Sequence, residues 1–311
     1  MSAWTGRVDA ADGPNALRWH QVVRPFTPDV PRGGVVLIGF ACDEGVRRNQ
    51  GRVGARDGPR AIRQALANLA WHQESPVYDA GDVRCDDGDM EAAQDRLAAR
   101  VAELIAAGHR PLVLGGGHET AWGTFQGIVR AKPDAKLGVV NIDAHLDLRA
   151  DEPGNSGTSF NQIADWCREN GRPFQYLCIG AAQPSNTAAL YDRLAELGGL
   201  YVPETDFFPA DRREVRGYIE DFVRRAELIH LSVDLDVLPA SMMPAVSAPA
   251  ARGLAFDIVE SLLGRILVTE KVAAVDLVEL NPRFDTDGQG ARVAARLAWQ
   301  VATEWDRRED W

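Results

Sequence analysis

The chain has 311 residues, enough to bury a large core as one domain or two. Its net charge of −11 and pI near 5.1 exclude the basic face that a nucleic-acid or anionic-membrane partner requires. Cys42, Cys85, Cys167 and Cys178 are scattered without a CxxC pair, no stretch approaches ~20 apolar residues, and MSAWTGRVDAADG is no basic-then-apolar leader, so the reading is a reduced, cytoplasmic protein.

Residues 1–33 hold Pro14, Pro25, Pro28 and Pro31 among polar residues and read as an irregular arm, with Trp4 and Trp19 as its anchors. Gly34 to Phe40 (GVVLIGF) is the first strand. A loop with Gly51, Gly54 and Gly58 follows, and Pro59 opens a helix at the position proline prefers. That loop is expected to wall a pocket, with Asn49 and the neighbouring arginines near a substrate anion. Tyr78 to Val83 reads as a short strand, Asp89 to Ala107 as a helix and Pro111 to Leu114 as a strand that runs into Gly115, Gly116, Gly117, His118 and Glu119. Lys136 to Val140 is a buried strand leading into NIDAHLDLR. Phe160 to Asn170 is helical, Phe174 to Ile179 a strand, and 188–197 and 211–226 helices. Leu228 to Val233 is a strand ending in Asp234, Leu235 and Asp236. A long loop then carries Pro239, Pro244 and Pro249, with Met242 and Met243 as apolar lining of the site. Phe256 to Leu267 is a helix, Val272 to Leu280 the last strand, and Ala291 to Glu304 the closing helix.

Strand-like and helix-like stretches alternate without a composition break, so residues 34–311 are one α/β domain with a parallel sheet covered on both faces. In such a sheet ligands bind beyond the C-terminal strand ends. Three of those ends offer Asp143, Asp147, Asp234, Asp236, His118 and His145. Oxygen and imidazole donors without thiolates suit hard or borderline divalent ions. Four Asp contribute four negative charges, which two divalent ions neutralise and which would otherwise repel one another, so the reading is a two-metal site.

The set GGGHE, DAHLD, SVDLD and VELNP, in that order, resembles the ureohydrolase family of arginase, agmatinase and formimidoylglutamase, over roughly residues 34–304. The resemblance implies a three-layer α/β/α sandwich with a parallel sheet of eight strands and two Mn²⁺ per chain. Matched by motif, one ion takes His118, Asp143, Asp147 and Asp234, and the other takes Asp143, His145, Asp234 and Asp236. Where arginases carry an Asn two residues past the second Asp of this segment, Arg149 stands here, and Phe160 stands where they carry a proton-handling His. With GVRRNQGRVGARDGP and VELNPRFDTDGQGAR, these departures resemble the formimidoylglutamase branch.

That branch implies a small-molecule amidine with carboxylates, N-formimidoyl-L-glutamate, cleaved to L-glutamate and formamide in histidine degradation. Glu279 would pair with the amidinium cation and Asp147 would pass a proton to the departing amine. Arg149, Ser156, Thr158, Gln183 and Asn186 are the candidates to hold the carboxylates, Arg149 because its planar fork matches them. A guanidino-acid hydrolase releasing urea, a metal-dependent deacylase on a related fold and a non-catalytic binding homologue remain open. A homo-oligomer is compatible with the sequence.

Overall fold

A computed structural model describes residues 3–207 and 212–305. The start of the helix expected over 211–226, the first two residues of the arm and the last six of the domain lie outside the described residues. In chain order the strands are β1 (Arg24–Pro25), β2 (Val35–Ala41), β3 (Val77–Arg84), β4 (Arg110–Leu114), β5 (Leu137–Ile142), β6 (Gln175–Ala181), β7 (Leu200–Pro203), β8 (Leu228–Asp234) and β9 (Val272–Val278). The helices are α1 (Trp19–Val22), α2 (Glu44–Arg48), α3 (Gly58–Leu66), α4 (Met90–Ala106), α5 (Thr120–Ala131), α6 (Ser159–Glu169), α7 (Ala188–Glu196), α8 (Arg212–Arg225), α9 (Phe256–Leu267) and α10 (Gln289–Glu304).

All strand pairs are parallel, in the order β1-β3-β2-β4-β9-β8-β5-β6-β7. Alternate residues of one strand feed different cores, as the pleat requires. Val35 and Leu37 belong to the core cluster that contains residues of α3, α8, α9 and α10, while Val36, Ile38 and Phe40 belong to the one that contains residues of α4 and α5. Beyond them, α5, α6 and α7 cover Val139, Tyr176 and Cys178. The sheet is thus buried on both sides, which is why its central strands read as unbroken apolar runs.

The sheet has nine strands rather than the eight expected. The extra one comes from the arm: Arg24 and Pro25 pair with Tyr78 and Asp79 of β3. The arm is anchored where the sequence placed its tryptophans, Trp19 being fully buried against Trp71 (ring centroids 5.6 Å) and Trp4 Nε1 donating to Asp79 Oδ2 (2.7 Å). Besides β1, the short helices α1 and α2 form in stretches read as irregular arm and loop, and two further elements escaped the sequence reading. β7 is an edge strand of four residues that ends in proline. α5 contains Gly123 and Gly127, poor helix formers in isolation, but there they let α5 press onto α4, a Cβ on Gly127 falling 2.6 Å from Val101 Cβ.

Candidate metal centre

The sheet order makes neighbours of segments far apart in sequence. β4, β9, β8 and β5 lie side by side and end in Gly115–Glu119, Glu279, Asp234–Asp236 and Asp143–Asp147 respectively. Register fixes their level: Ile142 pairs with Val233, which sets Asp143 beside Asp234, and Asp234 in turn pairs with Val278, one residue before Glu279.

His118 Nδ1 lies 3.2 Å from Asp143 Oδ2, 3.0 Å from Asp147 Oδ2 and 3.0 Å from Asp234 Oδ2. His145 Nδ1 lies 3.1 Å from Asp236 Oδ2 and 3.5 Å from Asp143 Oδ1. Two donor groups result, His118/Asp143/Asp234 and Asp143/His145/Asp236, which share Asp143. Each turn is held by its own carboxylate: His145 N–H donates to Asp143 Oδ1 (2.6 Å) and Asp236 N–H to Asp234 Oδ1 (2.8 Å). The six expected ligands are therefore brought together, with Asp147 reaching the first group through His118, but the second group forms without Asp234, which the motifs had also given to it.

The donors fit a pair of divalent cations. His118 Nδ1 is buried with three carboxylates around it and none aligned as a hydrogen-bond partner, and Asp236 Oδ1 is likewise buried without one. One nitrogen carries one proton at most and cannot serve three acceptors, whereas cations between them satisfy all. Without metal the crowding shows in the titration of the groups. Burial, then the charges of Asp236 and Asp143, pushes Asp234 well above the usual carboxylate range. Burial raises Asp236 to about 6 against the pull of His145. Burial alone would lower both histidines, but the surrounding carboxylates outweigh it and hold both well above their ordinary value.

Behind His118 runs a buried chain that the sequence reading missed. His118 Nε2 meets Ser232 Oγ (3.0 Å), Ser232 Oγ donates to Asp276 Oδ1, and Asp276 Oδ2 meets His230 Nε2 (2.6 Å). Such partners fix the ring and the tautomer that faces a metal. Asn141 Nδ2 donates to Asp143 Oδ2 (2.9 Å) and to the Tyr176 hydroxyl (3.1 Å), which donates to Leu146 O (2.8 Å). Polar residues inside otherwise apolar runs, Ser232 in LIHLSV and Asp276 in VAAVDLV, were the available signal.

Glu279 Oε1 accepts the His118 N–H (2.9 Å), while its Oε2 is buried without a partner. Glu279 (φ 71°) and Asp147 (φ 46°), the two candidate catalytic residues, are both non-glycine residues in the left-handed region, a strain that persists where surrounding structure imposes it.

The expected substrate contacts separate into two groups. Thr158 Oγ1 is committed within its own turn, to Asn155 N (2.8 Å), Asn155 O (2.9 Å) and Gln162 Oε1 (3.1 Å). Asn186 donates both Nδ2 hydrogens to Ala144 O and Ala182 O and accepts from Leu146 N, tying the loop after β6 to the loop after β5. Their hydrogen bonds make both of them positioning residues. Gln183 is exposed and lines a cleft with Tyr191, Tyr201 and Arg252. Ser156 is buried and accepts from Asn49 Nδ2 (3.1 Å). Arg149 is exposed, and among the described residues its guanidinium has no hydrogen-bond or ion-pair partner.

The arginines expected near a substrate anion each have partners within the protein. Arg47 pairs with Glu44 (2.7 Å), Arg48 with Glu44 and Glu91 (3.1 and 2.5 Å), Arg52 with the carbonyls of Pro244, Val246 and Ser247, and Arg56 with Asp86 (2.5 Å). Phe160 is fully buried, edge-on to the His118 ring at 5.2 Å, so it backs a ligand rather than facing the mouth. Met243 is fully buried in the core, and Met242, half-buried, packs against that core.

Fold and site together define a three-layer α/β protein that gathers His and Asp donors at the C-terminal edge of its sheet. Residues 33–303 match the model of the arginase family, and the chain belongs to that family. It is 54% identical to a formimidoylglutamase of Chromobacterium violaceum over 302 residues, 97% of each chain, and 50% identical to that of Aeromonas hydrophila over 305 residues, again 97% of each. Among solved structures it resembles a Trypanosoma cruzi formiminoglutamase with Mn²⁺ (TM-score 0.79, 28% identity, 90% of this chain and 97% of that one). The formimidoylglutamase of Bacillus subtilis shares the fold at TM-score 0.86 and 21% identity, over 99% of this chain and 97% of that one.

Proposed function

We propose that the chain hydrolyses N-formimidoyl-L-glutamate to L-glutamate and formamide at a centre of two Mn²⁺ ions. Near-full-length relatives carrying the name formimidoylglutamase support the reaction. The observation that carries the substrate's acidic end is Arg149, two residues past Asp147, whose guanidinium has no partner among the described residues, whereas every arginine of the segment 47–56 is already paired. By the motifs, His118, Asp143, Asp147 and Asp234 would hold one ion and Asp143, His145, Asp234 and Asp236 the other, which the grouping of His118 with Asp143 and Asp234 and of Asp143 with His145 and Asp236 supports. When bound, such a pair supplies a nucleophilic water at neutral pH. Glu279 Oε2 pairs with the amidinium and holds its carbon in place. Asp147 carries a proton to the glutamate nitrogen as its bond to the amidine carbon breaks. Arg149 binds a carboxylate at the mouth.

Turnover of formimidoylglutamate should exceed that of arginine, agmatine and guanidinobutyrate in Mn²⁺-supplemented assays; a preference for any guanidino compound overturns the substrate. Arg149→Asn should raise KM for formimidoylglutamate roughly tenfold with Mn²⁺ content intact, the lower end for a charge-assisted hydrogen bond because the guanidinium is exposed. It should not create an arginase. An unchanged KM removes Arg149 from the substrate site.

Metal retention should depend on pH with a definite sign. In the metal-free protein Asp234 and Asp236 titrate above their unfolded values, so they destabilise the fold increasingly as pH rises past the unfolded value toward the folded one. The raised histidines contribute stability below their unfolded value that is lost as pH rises through the folded one. Both trends weaken the metal-free protein toward alkaline pH, while cation binding needs the donors deprotonated. The gain in Tm on adding Mn²⁺ should therefore be larger at pH 8 than at pH 6, with protons released in calorimetry. Equal gains at both pH values would contradict this.

A further inference from the structure

We infer that Gly157 and Asn49 form the seat of Arg149, and that Asn49 is a specificity-positioning residue. The inference rests on the reading that Arg149 binds the substrate's carboxylate. A Cβ built on Gly157 falls 2.8 Å from Arg149 Cδ, 3.1 Å from Arg149 Nε and 3.2 Å from Asn49 Nδ2. The arginine stem therefore crosses the face of this glycine, with the Asn49 amide beside it. The backbone of Gly157 is not in the left-handed region, so the residue must be glycine for room and not for its dihedral angles.

The rest of the junction is fixed from the buried side. The Arg149 N–H donates to Gly157 O (2.9 Å) and the Phe160 N–H to Asp147 O (3.2 Å), which folds the loop back on the segment that carries Asp147. Asn49 Nδ2 donates to Ser156 Oγ (3.1 Å) and Arg48 Nη1 to Gly154 O (3.0 Å), so the end of α2 grips the same loop. The start of α2 is held in turn by the metal-bearing loop, Gly45 N–H donating to Glu119 Oε1 (3.1 Å). Glu119 is fully buried, and a Cβ on Gly45 would meet its Oε2 at 2.5 Å. A bracket thus runs from the residue next to His118, through α2, to the stem of Arg149.

Added volume at 157 should displace the guanidinium without touching the metal donors. In the Mn²⁺-loaded enzyme Gly157→Ala should raise KM for formimidoylglutamate about as much as Arg149→Asn does, roughly tenfold, with the change falling on KM rather than kcat. The double variant should be no worse than Arg149→Asn alone, because both act on one contact. Neither change should alter KM for an N-alkylformamidine, which has no carboxylate. Asn49→Ala, which adds no atoms, provides a second route should Gly157→Ala fail to fold, and its smaller rise in KM should likewise vanish in the Arg149→Asn background. An unchanged KM in Gly157→Ala, or in Asn49→Ala where that variant stands in for it, overturns the seat. So do effects that multiply in the double variants, or equal effects on the substrate without carboxylates. If Arg149→Asn itself leaves KM unchanged, the reading of Arg149 fails, and the seat with it.

Discussion

Asp234→Ala should abolish turnover and reduce bound Mn²⁺ from two equivalents per chain to one or none, while the protein stays folded. Asp234 ends β8 in the first donor group and is tied to the second: Oδ2 lies 3.0 Å from His118 Nδ1, and Oδ1 accepts the Asp236 N–H that shapes the next donor's turn. Its loss removes one donor and frees another. The sheet should tolerate the change, because the aspartate's metal-free pKa is pushed up by burial and by the charges of Asp236 and Asp143, a sign of mutual repulsion in the absence of cations. Relief of that repulsion offsets the small cavity, so the metal-free Tm of the variant should be no lower than that of metal-free wild type at pH 8. Metal analysis after Mn²⁺ reconstitution, alongside thermal unfolding in chelator, checks both halves. Wild-type turnover in the variant, or a wild-type protein holding a single tightly bound zinc, would falsify the assignment of a shared two-metal centre.

The clustering of the candidate metal donors was legible because their chemistry is local. Carboxylates and imidazoles at alternate positions after an apolar run need little tertiary information to be read as strand-end ligands, and Asp143, His145 and Asp147 sit where that pattern put them. What the pattern does not contain is adjacency. That β9 lies between β4 and β8 is set by crossovers spanning most of the chain, so Glu279 was placed by resemblance, and its contact with the His118 backbone emerges only in the fold.

Polar loop residues were the least legible. Thr158 and Asn186 have the same composition as ligand contacts, but a short hydroxyl or amide next to a turn finds backbone partners first. Arginines behave similarly: Arg48 and Arg52 stand near the mouth in sequence, yet salt bridges and carbonyls hold them, and only three-dimensional partners distinguish them from Arg149. The chain behind His118 was hidden for the opposite reason. Ser232, Asp276 and His230 lie on the inward faces of strands that read as core, and only pairing between β8 and β9, with Ser232 level with Asp276, turns three isolated polar residues into one network.

Glu279→Gln should cut kcat/KM by two or more orders of magnitude, about 3 kcal/mol or more, without changing Mn²⁺ content. Glutamine keeps the shape and can still accept the His118 N–H through its Oε1, so the loop that presents His118 stays in place. What the variant loses is the charge on Oε2, the buried oxygen left without a partner in the protein. Burial, then the charges of Asp234 and Glu119, holds this carboxyl well above its usual range when the site contains no cations. A bound amidinium would reverse the balance by supplying the missing positive neighbour, and a neutral amide cannot use it. Because the group both binds the cation and holds the amidine carbon in place for attack, the loss should appear in both KM and kcat. Loss of metal in Glu279→Gln would instead move Glu279 into the coordination shell. Retention of full activity would leave the strained backbone at φ 71° without a catalytic reason.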